Sequence, residues 1–491
     1  MSTTAATGFC RVTVVAPDSR IDVALPEDIA VADVYPEILR LTGQTQPAGA
    51  PTGYHLVRRD GTVLDGARTL AAQQVLDGEV LSLRPFAESL PPAVFDDVSD
   101  AVASAVTRDR HLWSDELLRG AGLVGAVLLL VLMGFVLWFA DPVRHDMHSL
   151  PGIIAGAAGV LLTAFAGVRA RVYGDRATAV ALGLGALPLL LIAGSGIIAP
   201  EAGHGPGRLQ FLLGCVTVLV AAVTLVALTP SGDAPFVAAT FLATVGTLAT
   251  FAAILTEASA TETAAVCVPA AIGLVAFLPG LSARFARLPI GYASPRSATD
   301  DDFAADPHQP VLAEAQPVDA ERIALQARRG HEMLLGLVGG CAAVVVGSCA
   351  VLGFAGNVWG QLLALAAGLA MLLRARLFRY TSQVACVLVA GLAAIALLIL
   401  GLSLNPPTDL VADLVMYGDR GGLDIRTIWL TAAVAAGAAL VTAIGLIIPR
   451  KGLSPFWGRL LDLTEGFVLL ALVPLCLAVL DVFMRARSLT G

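Results

Sequence analysis

The chain has 491 residues and a formal net charge of −8, with 56% hydrophobic and 14% charged side chains and a mean hydropathy of +0.78. A water-soluble domain cannot hide that much apolar side chain behind so few charges, so the composition excludes a wholly soluble protein. No basic stripe with interleaved aromatics accompanies the negative balance, which excludes phosphate-driven nucleic-acid binding.

The charges collect in 1–119, in 284–332 and in short spacers between long apolar runs. Residues 10–85 carry the pattern of a β-grasp, or ubiquitin-like, α+β domain. Val12 and Val14, then Ile21, Val23 and Leu25, alternate as two half-buried strands around a turn near Pro17–Ser19. Val31, Val34, Tyr35, Ile38 and Leu39 recur at helical spacing. Pro36 fits that helix only if it starts near Val31–Asp33, and Gly43 is a stop signal. A strand over Tyr54–Arg58 meets the Asp60–Gly61 turn, residues 62–65 return, and Val80–Arg84 close the sheet after a second Asp-Gly at 77–78. Another small α+β domain remains the alternative. The domain boundaries expected are 1–85 for the ubiquitin-like domain and 86–118 for a linker, with a helix through Phe95–Val106. The first hundred residues lack a basic segment followed by an apolar one, so no cleavable signal is expected and insertion begins with the first span.

Eleven apolar runs then reach the length needed to cross about 30 Å of hydrocarbon. They are 120–140, 150–168, 177–198, 209–228, 235–256, 264–282, 333–354, 357–373, 382–402, 427–448 and 466–484. Six fall in 119–283 and five in 333–491, separated by a wet segment, 284–332, with five prolines, the acidic triplet Asp300–Asp302 and a helical-looking stretch over Val318–Arg329. The seventh and eighth runs part only at Gly353–Asn357; fused, they would lower the count to ten. With the N-terminus cytosolic, eighteen basic residues fall on the inside, just before the first span and within 169–176, 284–329, 374–379 and 450–459. Six fall outside: Arg144, Arg208, Arg420, Arg426, Arg485 and Arg487. That excess obeys the positive-inside rule and points the C-terminus outward. The 284–332 segment is then a cytosolic loop, either a docking element or a solvated linker.

Chemistry is sparse. Pumps and coupled transporters bury ionisable groups in the membrane at about 2.5–3.5 kcal/mol each, and the spans hold almost none. Asp481 stands at the edge of the last run, and Glu257 and Glu262 in an outer loop. There is no HExxH, GxSxG or Walker A sequence. The seven cysteines form no CxxC pair, and six lie in apolar runs, where cysteine packs as a small hydrophobe. His145 and His148 flank Asp146 in the first outer loop, a metal patch or merely a polar loop. Gly152 with Gly156, and Gly336 with Gly340, stand in GxxxG register, which allows close helix packing. No catalytic, cofactor-binding or metal residue is assigned. A structural membrane component, a permease with a regulatory cytosolic domain and a membrane-embedded lipid enzyme all stay open.

The whole layout resembles the EccD family of actinobacterial type VII (ESX) secretion systems. The likeness is carried most specifically by Leu25-Pro26 leading into Val34-Tyr35-Pro36-Glu37-Ile38-Leu39-Arg40, by Leu76-Asp77-Gly78-Glu79-Val80-Leu81-Ser82-Leu83-Arg84, and by the late Ser454-Pro455. The resemblance implies an inner-membrane complex with EccB, an EccC ATPase, EccE and a second copy of the chain, exporting WXG100-type proteins. It further implies paired helices around a lipid-filled basket and a ubiquitin-like domain that touches the ATPase. The domain itself ends in Arg84-Pro85 without a free Gly-Gly and contains no lysine, so it is no conjugated modifier, and its surface is left for protein binding.

Overall fold

The computed structural model describes residues 8–16, 19–43, 54–85, 114–140, 145–201, 205–229, 233–286, 320–451 and 454–490, in two compact units, 1–112 and 113–491. The helix expected over Phe95–Val106 and the acidic triplet Asp300–Asp302 lie outside the described residues.

The first unit is a four-stranded sheet with one helix on it. Strands β1 (Phe9–Val15) and β2 (Arg20–Pro26) pair antiparallel with Val12 opposite Val23, and the amide of Ala16 donates to the Ser19 carbonyl at 2.8 Å to close their turn. Helix α1 (Val31–Leu41) follows, then β3 (Tyr54–Arg58) and β4 (Glu79–Pro85). Strand β4 lies parallel to β1 and antiparallel to β3, giving the order β2-β1-β4-β3 of a β-grasp. Period-two alternation sends Val12, Val14, Leu25, Leu56, Leu81 and Leu83 to one face, where Val31, Val34 and Ile38 of α1 cover them. Each such side chain stabilises the unit by roughly 1.5–3 kcal/mol through burial. Pro36 stands on the exposed side of α1, in its second turn, where the missing N–H touches no core contact. Gly61 at φ +89° and Gly78 at φ +83° take the left-handed turns that the two Asp-Gly pairs foreshadow.

The second unit is helical throughout. Its spanning helices are α2 (Asp115–Ala140), α3 (Leu150–Arg171), α4 (Arg176–Ser195), α5 (Arg208–Leu228), α6 (Ala234–Thr256), α9 (Ala320–Phe354), α10 (Val358–Arg374), α11 (Thr381–Leu404), α13 (Gly421–Lys451) and α14 (Pro455–Val479). Between α6 and α9 stand α7 (Ala260–Val275) and α8 (Leu278–Phe285), an apolar pair bent by 66° that brings the ten long apolar helices among the described residues to eleven if it is counted as one span. Helix α12 (Thr408–Tyr417) precedes α13, and α15 (Val482–Thr490) ends the chain. In lipid each backbone polar group must be satisfied within its own segment, so these runs can only be helices. The run 264–282, expected as the sixth span, is broken in the structure. Pro279 has no N–H and its ring would strike the carbonyl four residues earlier, so α7 stops at Val275 and the chain restarts as α8. The narrower break at Phe354–Val358 does separate two spans, with the Asn357 side chain accepting from the Trp359 amide at 2.9 Å.

The largest core joins α7, α9, α10, α11 and α14 around Val338, Val345, Leu363, Ala367 and Val387. Small residues set its spacing. A Cβ on Gly336 would come within 2.6 Å of the Val237 Cβ, and one on Gly340 within 2.7 Å of Phe241, so this GxxxG pair seats α9 on α6. Gly152 instead admits the backbone of Asp146 and Met147, while Gly156 meets Ala193 of α4. Both pairs are therefore used inside the chain. Two spans stay peripheral: only 6% of the spanning window of α2, and none of that of α13, is buried against the rest of the chain.

Candidate functional site

Alternate helices run in opposite directions, so the ends of the spans form two polar rims. One rim gathers the start of α2, the end of α3 and the start of α4. Asp175 caps α4 by accepting from the Thr178 amide at 3.3 Å, and its carboxylate also takes Arg119 at 2.6 Å and Arg169. Arg171 donates to the Ala227 carbonyl at 2.6 Å and so closes the end of α5. Asp233, 2% exposed at the start of α6, meets Arg329 of α9 at 3.8 Å; burial pushes its carboxyl pKa up, and Arg329 opposes the shift. Further along, Arg376 bridges Asp462 at 3.0 Å and Glu465 at 3.1 Å on α14. His331 packs on Tyr380 with ring centroids 4.4 Å apart.

The opposite rim is built differently. Arg208 donates to the carbonyls of Ala253 and Glu257 at the end of α6, and Arg426 to those of Leu402 and Asn405 at the end of α11. Here arginine satisfies the free carbonyls of helix C-termini, where the helix dipole also favours a cation. Glu262 and Ser259 form a capping box at the start of α7. Glu257 and Asp481 take left-handed conformations at the ends of α6 and α14, with φ +57° and φ +54°.

The three residues His145, Asp146 and His148 do not converge. His148 Nδ1 lies 3.1 Å from Asp146 Oδ1, whereas His145 turns inward. Its Nε2 lies 2.6 Å from Ser195 Oγ and its ring stacks on Trp138 at 4.5 Å. The Ser195 hydroxyl also reaches the Ile192 carbonyl at 3.0 Å. With Ser195 only 2% exposed, this pair pins the loop to the end of α4 and offers a substrate no access. Among the described residues, no three His, Cys, Asp or Glu side chains could share a metal ion, and all seven cysteines are free thiols. Sequence patterning singles out neither Asp175 nor Asp233, whose only signal is that each sits two residues before an apolar run; it counts Arg374 among the inside basic residues but gives no sign that its side chain is buried.

The Asp175 cluster has a pH signature. Bonding from Thr178 first, then from Arg169 and the charge of Arg119, holds its pKa down at about 2, against an ordinary value of 3.8. A depressed folded pKa adds stability that is fully present above the ordinary value and is lost as pH falls towards about 2. Asp175→Asn is therefore expected to lower the thermal midpoint at neutral pH, with the gap to wild type closing between about pH 4 and about pH 2. A gap that stays constant over that range would show that the carboxylate charge is not what holds α2, α3 and α4 together.

Comparison with known proteins matches both units. A family model described as the EccD-like transmembrane domain matches residues 118–489, and one described as the WXG100 protein secretion system (Wss) protein YukD matches residues 9–83. Two relatives from Mycobacterium tuberculosis, strains CDC 1551 / Oshkosh and ATCC 25618 / H37Rv, are both named ESX-4 secretion system protein eccD4. Each is 26% identical over 490 residues, covering 98% of either chain. Among solved structures, protomer 1 of the ESX-3 core complex shares the fold with a TM-score of 0.57 at 18% identity, over 97% of this chain and 100% of that one. A chain of the MycP5-free ESX-5 inner membrane complex, State II, does so with a TM-score of 0.53 at 21% identity, over 88% and 99%.

Proposed function

The chain belongs to the EccD family, and from that membership we propose that it is a non-enzymatic, multi-pass inner-membrane subunit of a type VII (ESX) protein secretion complex. The observation that carries this reading is the coincidence of the family match over 118–489 with a unit made of spanning helices whose charged groups gather at the two rims. A coupled permease needs ionisable groups deep in its spans, and the rim placement argues against one. The partners proposed are EccB, the EccC ATPase and EccE, with WXG100-type proteins as the exported cargo.

The finer parts rest on particular features. The excess of basic residues at the rim of Arg169, Arg329 and Arg376 favours a cytosolic N-terminus and an outward C-terminus. Helix α13 favours a second copy. Nothing among the described residues buries its spanning length, which carries an unbroken run of small residues, Ala435 to Ala439, of the kind that lets membrane helices approach closely. The ubiquitin-like unit and the loop over 284–332 are proposed to dock the ATPase.

Single cysteines test orientation and pairing together, because none of the seven native thiols is exposed. In intact cells, Ser488→Cys is expected to react with a membrane-impermeant maleimide. Cysteines placed one at a time over 432–439 are expected to yield a disulfide-linked dimer on mild oxidation. A thiol at position 488 that reacts only after lysis would reverse the orientation, and a chain that stays monomeric at every position would remove α13 from any pairing surface.

A further inference from the structure

Among the described residues, Arg374 is the one buried arginine, at 8% exposure, and it makes no hydrogen bond and no ion pair; its Nε is sealed from solvent with no partner. It stands at the end of α10, where Ala375 and Phe378 are also buried and the chain turns into α11. The carboxylate it faces is Glu465 of α14, but Glu465 is bonded to Arg376, as is Asp462. Arg379, exposed on the same turn, also has no charged partner among the described residues. Three arginines thus share two carboxylates, and the two carboxylates are both committed to one of the arginines. The seam between α10 and α14 is left with a surplus of one positive charge, held by a group that cannot lose its proton.

We propose that this seam binds the phosphate of an anionic phospholipid, with Arg374 as its principal ligand and Arg379 as a second. A phosphodiester carries the single negative charge that the surplus lacks, and a guanidinium can grip two of its oxygens at once. The surroundings favour a lipid over a free anion. Arg374 terminates an apolar span of seventeen residues, about 25 Å long at 1.5 Å per residue, which puts it at the depth of the headgroups. Beside it Leu377 and Tyr380 are exposed, and α14 opens with exposed Phe456 and Trp457, the apolar and aromatic side chains that settle at a membrane interface. The site needs only that α10 spans the bilayer, and either orientation of the chain leaves it intact.

Full-length protein in neutral detergent, titrated separately with phosphatidylglycerol, phosphatidylcholine and inorganic phosphate, tests this by native mass spectrometry and by the thermal midpoint. Phosphatidylglycerol is expected to be retained about tenfold more tightly than phosphatidylcholine, and Arg374→Gln to remove that preference, since one charge-assisted contact is worth at least that factor. Arg171→Gln, which alters an arginine bonded to a backbone carbonyl on the same rim, is expected to leave the preference in place. Equal retention of phosphatidylglycerol by Arg374→Gln and wild type overturns the proposal, and so does stabilisation by inorganic phosphate that matches the lipid's. If Arg374→Gln fails to fold, Glu465→Gln decides. Removal of a competing negative charge is expected to tighten lipid retention. Unchanged retention, whatever the midpoint does on loss of the Arg376 bridge, would mean that no lipid phosphate competes with Glu465 at this seam and overturns the proposal.

Discussion

Removal of residues 1–85 is expected to leave the spanning helices inserted and any membrane dimer intact, while export and co-purification of the ATPase fall together. The first half follows from the contacts. The β-grasp closes its own core, from Val12 and Val14 to Leu81 and Leu83, and the helical unit closes another around Val345 and Leu363. Neither needs the other to bury its apolar groups. The second half follows from tethering. A small domain joined to the membrane by a short segment holds its partner at an effective concentration in the millimolar range, so its loss weakens a multivalent contact by about 10²–10⁴-fold. The measurement is export of substrate together with the ATPase content of the purified complex. Full ATPase stoichiometry with normal export from the truncated chain would make the domain a folding appendage.

Much of this architecture is legible in the residue pattern because the signals are strong where one physical rule acts alone. Alternation with period two can serve only a half-buried strand, and Val12, Val14, Ile21, Val23 and Leu25 obey it without exception. Some twenty apolar residues without a charge can serve only a span. The pattern is weak where two rules compete. Pro269 and Pro279 lie in the same apolar run, yet α7 continues through the first and the chain bends at the second. Local sequence does not distinguish them, because the answer depends on what neighbouring helices can satisfy. Likewise α14 begins at Pro455, eleven residues before the apolar run expected at 466, because Ser454-Pro455 is a helix start and Asp462 and Glu465 can sit at a rim.

The rim chemistry is hidden for a different reason. Asp175 and Asp233 look like ordinary loop charges until Arg119 and Arg329, 56 and 96 residues away along the chain, are brought beside them. Separation in sequence carries no record of such pairings. The GxxxG pairs show the converse. Gly336 and Gly340 do seat one helix on another, but Gly152 admits a loop, so the spacing alone names a close approach and not its partner.

The glycine of the described residues with least room for a side chain belongs to no motif. Gly401 of α11 lies against Gly353 of α9, and a Cβ on Gly401 would overlap the Gly353 carbonyl oxygen and come within 2.9 Å of the Phe354 amide nitrogen. Both obstacles are backbone, so no rotamer change can relieve them, and the two helices must part. Helices in lipid gain little from hydrophobic exclusion and depend on packing for their association, so a forced gap is costly here. Gly401→Ala is expected to destabilise the unit by about 1–3 kcal/mol, the range for overpacking, and Gly401→Leu to prevent accumulation of folded protein. Gly347, also on α9, is the control: a Cβ there meets nothing within 4 Å, and Gly347→Ala should be neutral or slightly stabilising. Gly353→Ala presses on Leu397 and Leu398 of the same α9–α11 contact, so the double variant should lose less than the two singles together. Thermal midpoints of the purified proteins decide the matter: equal values for Gly401→Ala and Gly347→Ala would show that α9 and α11 do not approach as closely as the glycines allow.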